Sequence, residues 1–211
     1  MFKILKKEEL AAQIAKAVVS CKKCRLCKTR KNAVPGEGNL NSAVIFVGEA
    51  PGQNENDQGR PFVGRAGMLL ADLLSKIRLS RSDVWIGNVI KCRPPDNRAP
   101  MVDELRNCSM YLESQIKLIN PKLIVTLGRF ALEHFVKDAK ISKEHGVAQV
   151  WKDRVIYPLY HPAAALRSPQ VAAVLEKEFK KIPRVLEEAR EMLKEDSRSS
   201  KKDNGAQISL M

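Results

Sequence analysis

The 211-residue chain is long enough for one well-buried domain and short for two independent cores. Its composition is ordinary for a globular protein, but 37 Lys and Arg against 24 Asp and Glu leave a formal charge of +13, which favours a polyanionic partner, nucleic acid first. The first residues carry no long apolar core before a cleavage site, and no apolar run approaches the ~18 residues of a membrane span, so a secreted or membrane-anchored protein is not expected. A cytoplasmic protein is, and the five cysteines then point to metal or catalysis before disulfides.

Leu10, Ile14, Ala17 and Val18 stand at helical spacing and predict a short amphipathic helix over residues 8–20, followed at once by a cysteine loop. Residues 43–47 form an apolar run of strand length that ends in Gly48-Glu49-Ala50-Pro51-Gly52. The polar connection from there to Gly64 is long for a simple βα loop, which marks it as functional. Leu69 to Ile77 predict a helix, residues 83–91 a second strand, and Val102 to Ile119 a further helix with Cys108 on its apolar side. Residues 122–128 read as a third strand, 130–136 as a helix and 154–159 as a fourth strand leading into Tyr160-His161-Pro162. A charged helix spans 171–195, interrupted near Pro183. Residues 196–205 lack apolar periodicity, so one domain, 1–195, is expected, with a disordered basic tail over 196–211.

Strands alternating with helices give an α/β fold of three layers, a mostly parallel central sheet flanked by helices. Ligands of such sheets collect beyond the carboxyl ends of the strands. Gly48, Asn88, Gly128 and His161 all fall at such ends, and the first, second and fourth strands are expected to converge on one pocket.

Asn88 and Cys92 lie four residues apart in Asn88-Val89-Ile90-Lys91-Cys92-Arg93-Pro94-Pro95, at the end of an apolar strand pattern that the prolines stop. A carboxamide sets a donor beside an acceptor, the arrangement that grips a ring carrying an N–H next to a carbonyl. Cys92 is a soft metal ligand with candidate partners in Cys21, Cys24 and Cys108. The chain lacks the second C-x-x-C knuckle of a zinc ribbon, and spacing alone leaves zinc and an iron-sulfur cluster both open. Cys27 forms a second C-x-x-C with Cys24, so the ligand set is ambiguous at this level.

Several segments in order carry a specific resemblance: Cys21-x-x-Cys24-Arg25-Leu26, Val34-Pro35-Gly36-Glu37-Gly38-Asn39, Val47-Gly48-Glu49-Ala50-Pro51-Gly52, Gly59-Arg60-Pro61-Phe62-Val63-Gly64, the Asn88 to Pro95 segment, Asn97-Arg98-Ala99-Pro100 and His161-Pro162. Together they resemble the family 4 uracil-DNA glycosylases, thermophile-type enzymes with a 4Fe-4S cluster. The resemblance implies Cys21, Cys24, Cys92 and Cys108 as cluster ligands, with Cys27 left over as a departure from the family pattern. It also implies hydrolysis of the bond between uracil and deoxyribose, after the base is flipped from single- or double-stranded DNA into a pocket.

On that resemblance Phe62 stacks on the base, Asn88 accepts from uracil N3–H and donates to O4, and His161 donates to O2 as charge builds there. The Gly48-Glu49-Ala50 backbone lies along the uracil edge, the Glu49 carboxylate orients water or stabilises the cationic sugar, and Glu55 crowds the C5 position against thymine. Ala50 stands where the family usually has glycine. Leu166 or Arg167 enters the minor groove as a wedge, and Arg25, Lys28, Arg30, Lys31, Arg93 and Arg98 contact phosphates. The ending Gln207-Ile208-Ser209-Leu210-Met211 looks like a truncated sliding-clamp-binding box, and a monomer fits the family. The rival class is a non-enzymatic zinc or iron-sulfur nucleic-acid-binding module. A base deaminase lacks support because its H-x-E with P-C-x-x-C signature is missing.

Overall fold

A computed structural model describes the backbone of residues 6–205 and the side chains of residues 6–193. Four apolar runs form parallel strands: β2 (Val44–Gly48), β3 (Trp85–Asn88), β4 (Leu123–Leu127) and β6 (Arg154–Leu159). Two short strands, β1 (Glu37–Gly38) and β5 (Gln149–Trp151), add antiparallel at the edges, giving the order β1-β3-β2-β4-β6-β5. The sequence pattern predicts the four central strands and misses both edges. Two or three half-exposed residues carry too little alternation to register.

Alternation along the strands sorts the core onto two faces. Val44 and Phe46 of β2, Val125 and Leu127 of β4, and Val155, Tyr157 and Leu159 of β6 share one face. There they meet Leu70, Leu73 and Leu74 of α3 (Arg65–Lys76), Leu175 and Phe179 of α8 (Pro169–Phe179), and Ile182, Val185 and Ala189 of α9 (Ile182–Gly205). Ile45, Val47, Ile124 and Ile156 point the other way, toward α1 (Lys7–Val19), α4 (Val102–Ile119) and α5 (Arg129–Phe135). The result is the expected three-layer α/β architecture.

Three local differences have physical causes. The connection after β2 contains a helix, α2 (Gln53–Gln58), whose polar residues hide any periodic signal. The interruption expected near Pro183 in the 171–195 helix falls just ahead of it, between Phe179 and Ile182, because Pro183 cannot continue α8 but fits the first turn of α9, where its missing N–H has no partner to lose. The α9 backbone stays helical to Gly205, through residues that composition marks as disordered. Extending a nucleated helix costs far less than starting one, so weak formers are carried along. The clamp-binding box expected at 207–211 lies outside the described residues. No helix among the described residues is long and apolar enough to cross a membrane.

From β2 the chain steps to β3 on one side and to β4 on the other, so the strand order reverses beside β2. The crevice beyond the carboxyl ends at such a reversal is where ligands of open α/β sheets sit.

Candidate active site

A cleft of about 380 Å³ opens at that position, lined by Glu49, Ala50, Glu55, Phe62, Asn88 and His161 among others. Parallel pairing sets Gly48 opposite Asn88 at the carboxyl ends of β2 and β3. A Cβ at Gly48 would lie 2.5 Å from Asn88 Oδ1 and 2.6 Å from the Phe62 ring, so only glycine lets these two side chains meet there. Gly48 is not itself in the lining of the cleft; its missing side chain lets Asn88 and Phe62 line it together.

Asn88 is 2% exposed, yet its carboxamide has no hydrogen-bond partner among the described residues. A buried amide without a partner is costly unless a ligand or water supplies one. Its backbone carbonyl is held firmly, accepting 2.8 Å from the ammonium of Lys91. Lys91 is itself fully buried; it donates to Gln115 Oε1 at 2.8 Å, and burial pushes its ammonium down to about 8.

His161 follows β6 and caps α7 (Pro162–Ala165), its Nδ1 accepting from the Ala163 N–H at 3.0 Å. An accepting Nδ1 carries no proton, which leaves Nε2–H as the donor of a neutral ring. Burial pushes His161 down to about 4, with Arg167 acting in the same sense and Glu55 opposing, so the ring is neutral across the physiological range. Gly128, at φ +87°, leaves the space in which the imidazole sits, since a Cβ there would come within 3.0 Å of His161 Cβ.

Phe62 is nearly buried and lies beside His161, ring centroids 5.7 Å apart and 24° between planes. Its φ of +51° is in the left-handed region that bulky side chains avoid. Glu55 accepts from the N–H groups of Val63 and Gly64, both at 2.8 Å, and from Gly52 N–H at 3.1 Å. Glu55 therefore lines the cleft with a carboxylate already bonded to three backbone groups, as a staple between α2 and the Phe62 turn. Glu49 is half-buried, its carboxylate has no hydrogen-bond partner among the described residues, and burial pushes that carboxyl up, partly offset by Arg129. Leu166 is 41% exposed beyond α7, and Arg167 reaches the cleft rim.

This chain matches the family model of the uracil DNA glycosylase superfamily over residues 35–190. A type-4 uracil-DNA glycosylase of Sulfurisphaera tokodaii is 49% identical over 180 residues, 81% of this chain and 82% of the relative. One from Saccharolobus solfataricus is 48% identical over 82% of this chain and 85% of its own length, and one from Archaeoglobus fulgidus 44% over 80% and 89%. The chain belongs to the type-4 uracil-DNA glycosylases of that superfamily.

This type-4 glycosylase brings all five cysteines to one narrow cavity, together with Arg30, Lys91 and Tyr111. Cys92 and Cys108 are buried, the others half-buried. Burial pushes the Cys92 thiol up against the opposing pull of Arg30, and Cys108 up to about 11. Arg30 donates to Cys92 Sγ at 3.0 Å and the Lys91 N–H to Cys108 Sγ at 3.3 Å. Among the described residues no three Cys, His, Asp or Glu side chains are close enough to hold a single metal ion.

The basic residues expected at phosphates are mostly engaged within the glycosylase. Arg25 pairs with Asp103 at 2.8 Å, Lys31 with Asp57 at 3.2 Å, and Arg98 makes a two-pronged contact with the buried Glu104 at 2.6 and 2.8 Å. Arg30 binds Cys92 and two backbone carbonyls, and Arg93 binds Asn97. Composition reveals the charge but not which carboxylates neutralise it.

The sequence pattern also misses a second arginine site. Arg81 donates to Pro61 O at 2.7 Å, Phe62 O at 2.9 Å and Glu37 Oε1 at 2.8 Å, and Arg60 holds the same Glu37 at 2.8 and 3.0 Å. Burial alone would raise the Glu37 carboxyl, but the two guanidinium groups outweigh it and hold it below the usual range. Arg81 lies in a polar turn with no motif around it, so no local signal announces it.

Proposed function

We propose that this protein removes uracil from DNA by hydrolysis of its glycosidic bond; its relatives are named uracil-DNA glycosylases. The observation that carries the proposal is the buried, unpartnered Asn88 carboxamide on the same cleft as a neutral histidine with a fixed tautomer. Uracil offers an N–H between two carbonyls. Asn88 accepts from N3–H and donates to O4, a pair that cytosine presents reversed, while His161 Nε2–H donates to O2 and Phe62 stacks on the ring.

As the C1′–N1 bond breaks, its electron pair stays with the base and negative charge gathers at O2, where the His161 donor is already aimed. Such a donor stabilises the transition state more than the ground state. A neutral imidazole suits this task because it strengthens its bond as charge develops without needing to transfer a proton. The raised, half-buried Glu49 carboxylate orients the attacking water and takes its proton as the oxygen joins C1′. The departing uracil anion is protonated by solvent, leaving an abasic site. Glu55 acts on specificity through the turn it staples, and Leu166 or Arg167 serves as the wedge that fills the vacated stack.

Cys21, Cys24, Cys92 and Cys108 hold a 4Fe-4S cluster in this proposal, with Cys27 spare. An all-cysteine set around one cavity, with no three sulfurs at single-ion spacing, suits a polynuclear group met at its corners better than zinc. When bound, the cluster supplies a structural cross-link, since hydrolysis requires no electron transfer. The enzyme works as a monomer through a single domain, which contains the whole cleft and the whole cysteine cavity. The test is alkali-sensitive nicking of an oligonucleotide with one uracil. Nicking at that position, absent with cytosine or thymine, is expected; intact strands after incubation with purified protein would overturn the proposal.

A further inference from the structure

Phe62 combines the proposed stacking role with a backbone conformation that a phenylalanine adopts only when its surroundings impose it. Three contacts impose it. Glu55 takes the two N–H groups that follow, Gly67 lets α3 lie directly on the Phe62 carbonyl, where a Cβ would come within 1.8 Å, and Arg81 takes the Pro61 and Phe62 carbonyls together. Glu55 belongs to α2 and Gly67 to α3, the helices on either side of the turn. Arg81 reaches it from a separate turn ahead of β3, and the Nη2 that donates to Pro61 O is also anchored on Glu37 of edge strand β1.

We infer that Arg81 is a positioning residue for base recognition: anchored by Glu37, it holds the strained Phe62 backbone so that the ring lies against the cleft before any base arrives. A planar guanidinium is suited to this, because it spans two successive carbonyls and a carboxylate at once, which an ammonium cannot do with one geometry. Arg60 keeps Glu37 in place from the opposite side. The strained turn would otherwise relax to an extended backbone, swinging the ring away, and each flipped base would have to restore it at the expense of binding. The inference rests on the stacking role proposed for Phe62.

The experiment is a double-mutant cycle in the cluster-loaded protein, built from Arg81→Met, Phe62→Ala and the pair, read by single-turnover excision and by affinity for free uracil. Phe62→Ala should lower uracil affinity by about 10-fold or more. Arg81→Met should lower it by about 10-fold in the Phe62 protein and by less than about 2-fold in the Phe62→Ala protein, because it acts through the ring that is gone. Arg81→Lys should recover only part of the loss. A full loss from Arg81→Met in both backgrounds, or none in either, would overturn the inference. No effect of Phe62→Ala itself would instead remove the stacking role. Should Arg81→Met not fold, Glu37→Gln, which removes the charge that anchors Arg81, is put through the same cycle, with about 3-fold expected and the same outcomes deciding.

Discussion

The cleft and the ground around it treat polar groups in opposite ways. At the cleft the Asn88 carboxamide and the Glu49 carboxylate lack partners among the described residues, and one histidine nitrogen is fixed so that the other is free to donate. Around it, Arg25, Arg30, Arg81, Glu37 and Glu104 are each bonded two or three times over, as are Glu55 and Arg98 on the cleft wall. Leaving a buried polar group unpaired costs roughly 1 to 3 kcal/mol, so a fold retains one where a ligand completes it. The saturated perimeter is what keeps the unsaturated groups from collapsing onto each other.

The comparison breaks first at His161. If the cleft donors act on charge that develops in the reaction, His161→Leu should slow single-turnover excision by about 10²- to 10³-fold while leaving DNA affinity near its starting value. An equal loss in affinity would return His161 to the perimeter. Next, Asn88→Asp removes the O4 donor and should cost about 10- to 100-fold in the same assay, with the melting temperature little changed. An unchanged rate would mean that the unpartnered carboxamide reads nothing.

Cys92→Ser tests the perimeter itself. Absorbance near ~400 nm should fall, thermal stability should drop, and excision should decline by about 10-fold, through a loosened strand end rather than a lost contact to the base. Retention of full activity with the absorbance gone would separate the two regions completely. The smallest expected effect is with pH. His161 carries its proton only below about 4, against about 6.5 for an unfolded histidine, so it should add no step to the rate between pH 5 and 8. Between those two values the unfolded chain binds the proton first, and stability should decline as pH falls through that window, levelling below about 4. A rate profile with a step near 6.5, lost in His161→Leu, would show a charged imidazole instead.

The same contrast explains what was legible in the sequence. Buried strands are written locally, as the runs ending at Gly48, Asn88 and Leu159, and groups placed just past such ends announce themselves. The saturated contacts are not local. Arg81 meets Glu37 across 44 positions, and Lys31 meets Asp57 across 26, so no window of sequence displays either pair. Glu55 illustrates the intermediate case: its place beside the cleft follows from the loop, but its bonding to Val63 and Gly64 depends on a turn whose strained φ no pattern signals. The His161 tautomer was equally hidden, because it is set by a single N–H two residues on.

The strand order has a consequence for how the enzyme comes into being. Gly48 meets Asn88 only through the pairing of β2 with β3, and His161 arrives only once β6 has paired with β4, on the far side of β2. Parallel pairings of such separation form late and slowly, since long stretches of chain must be closed before any contact rewards them. A fragment that ends before β6 lacks the His161 wall of the cleft. During refolding, helical signal should therefore return ahead of excision, and activity should appear together with the completed sheet in a single kinetic phase.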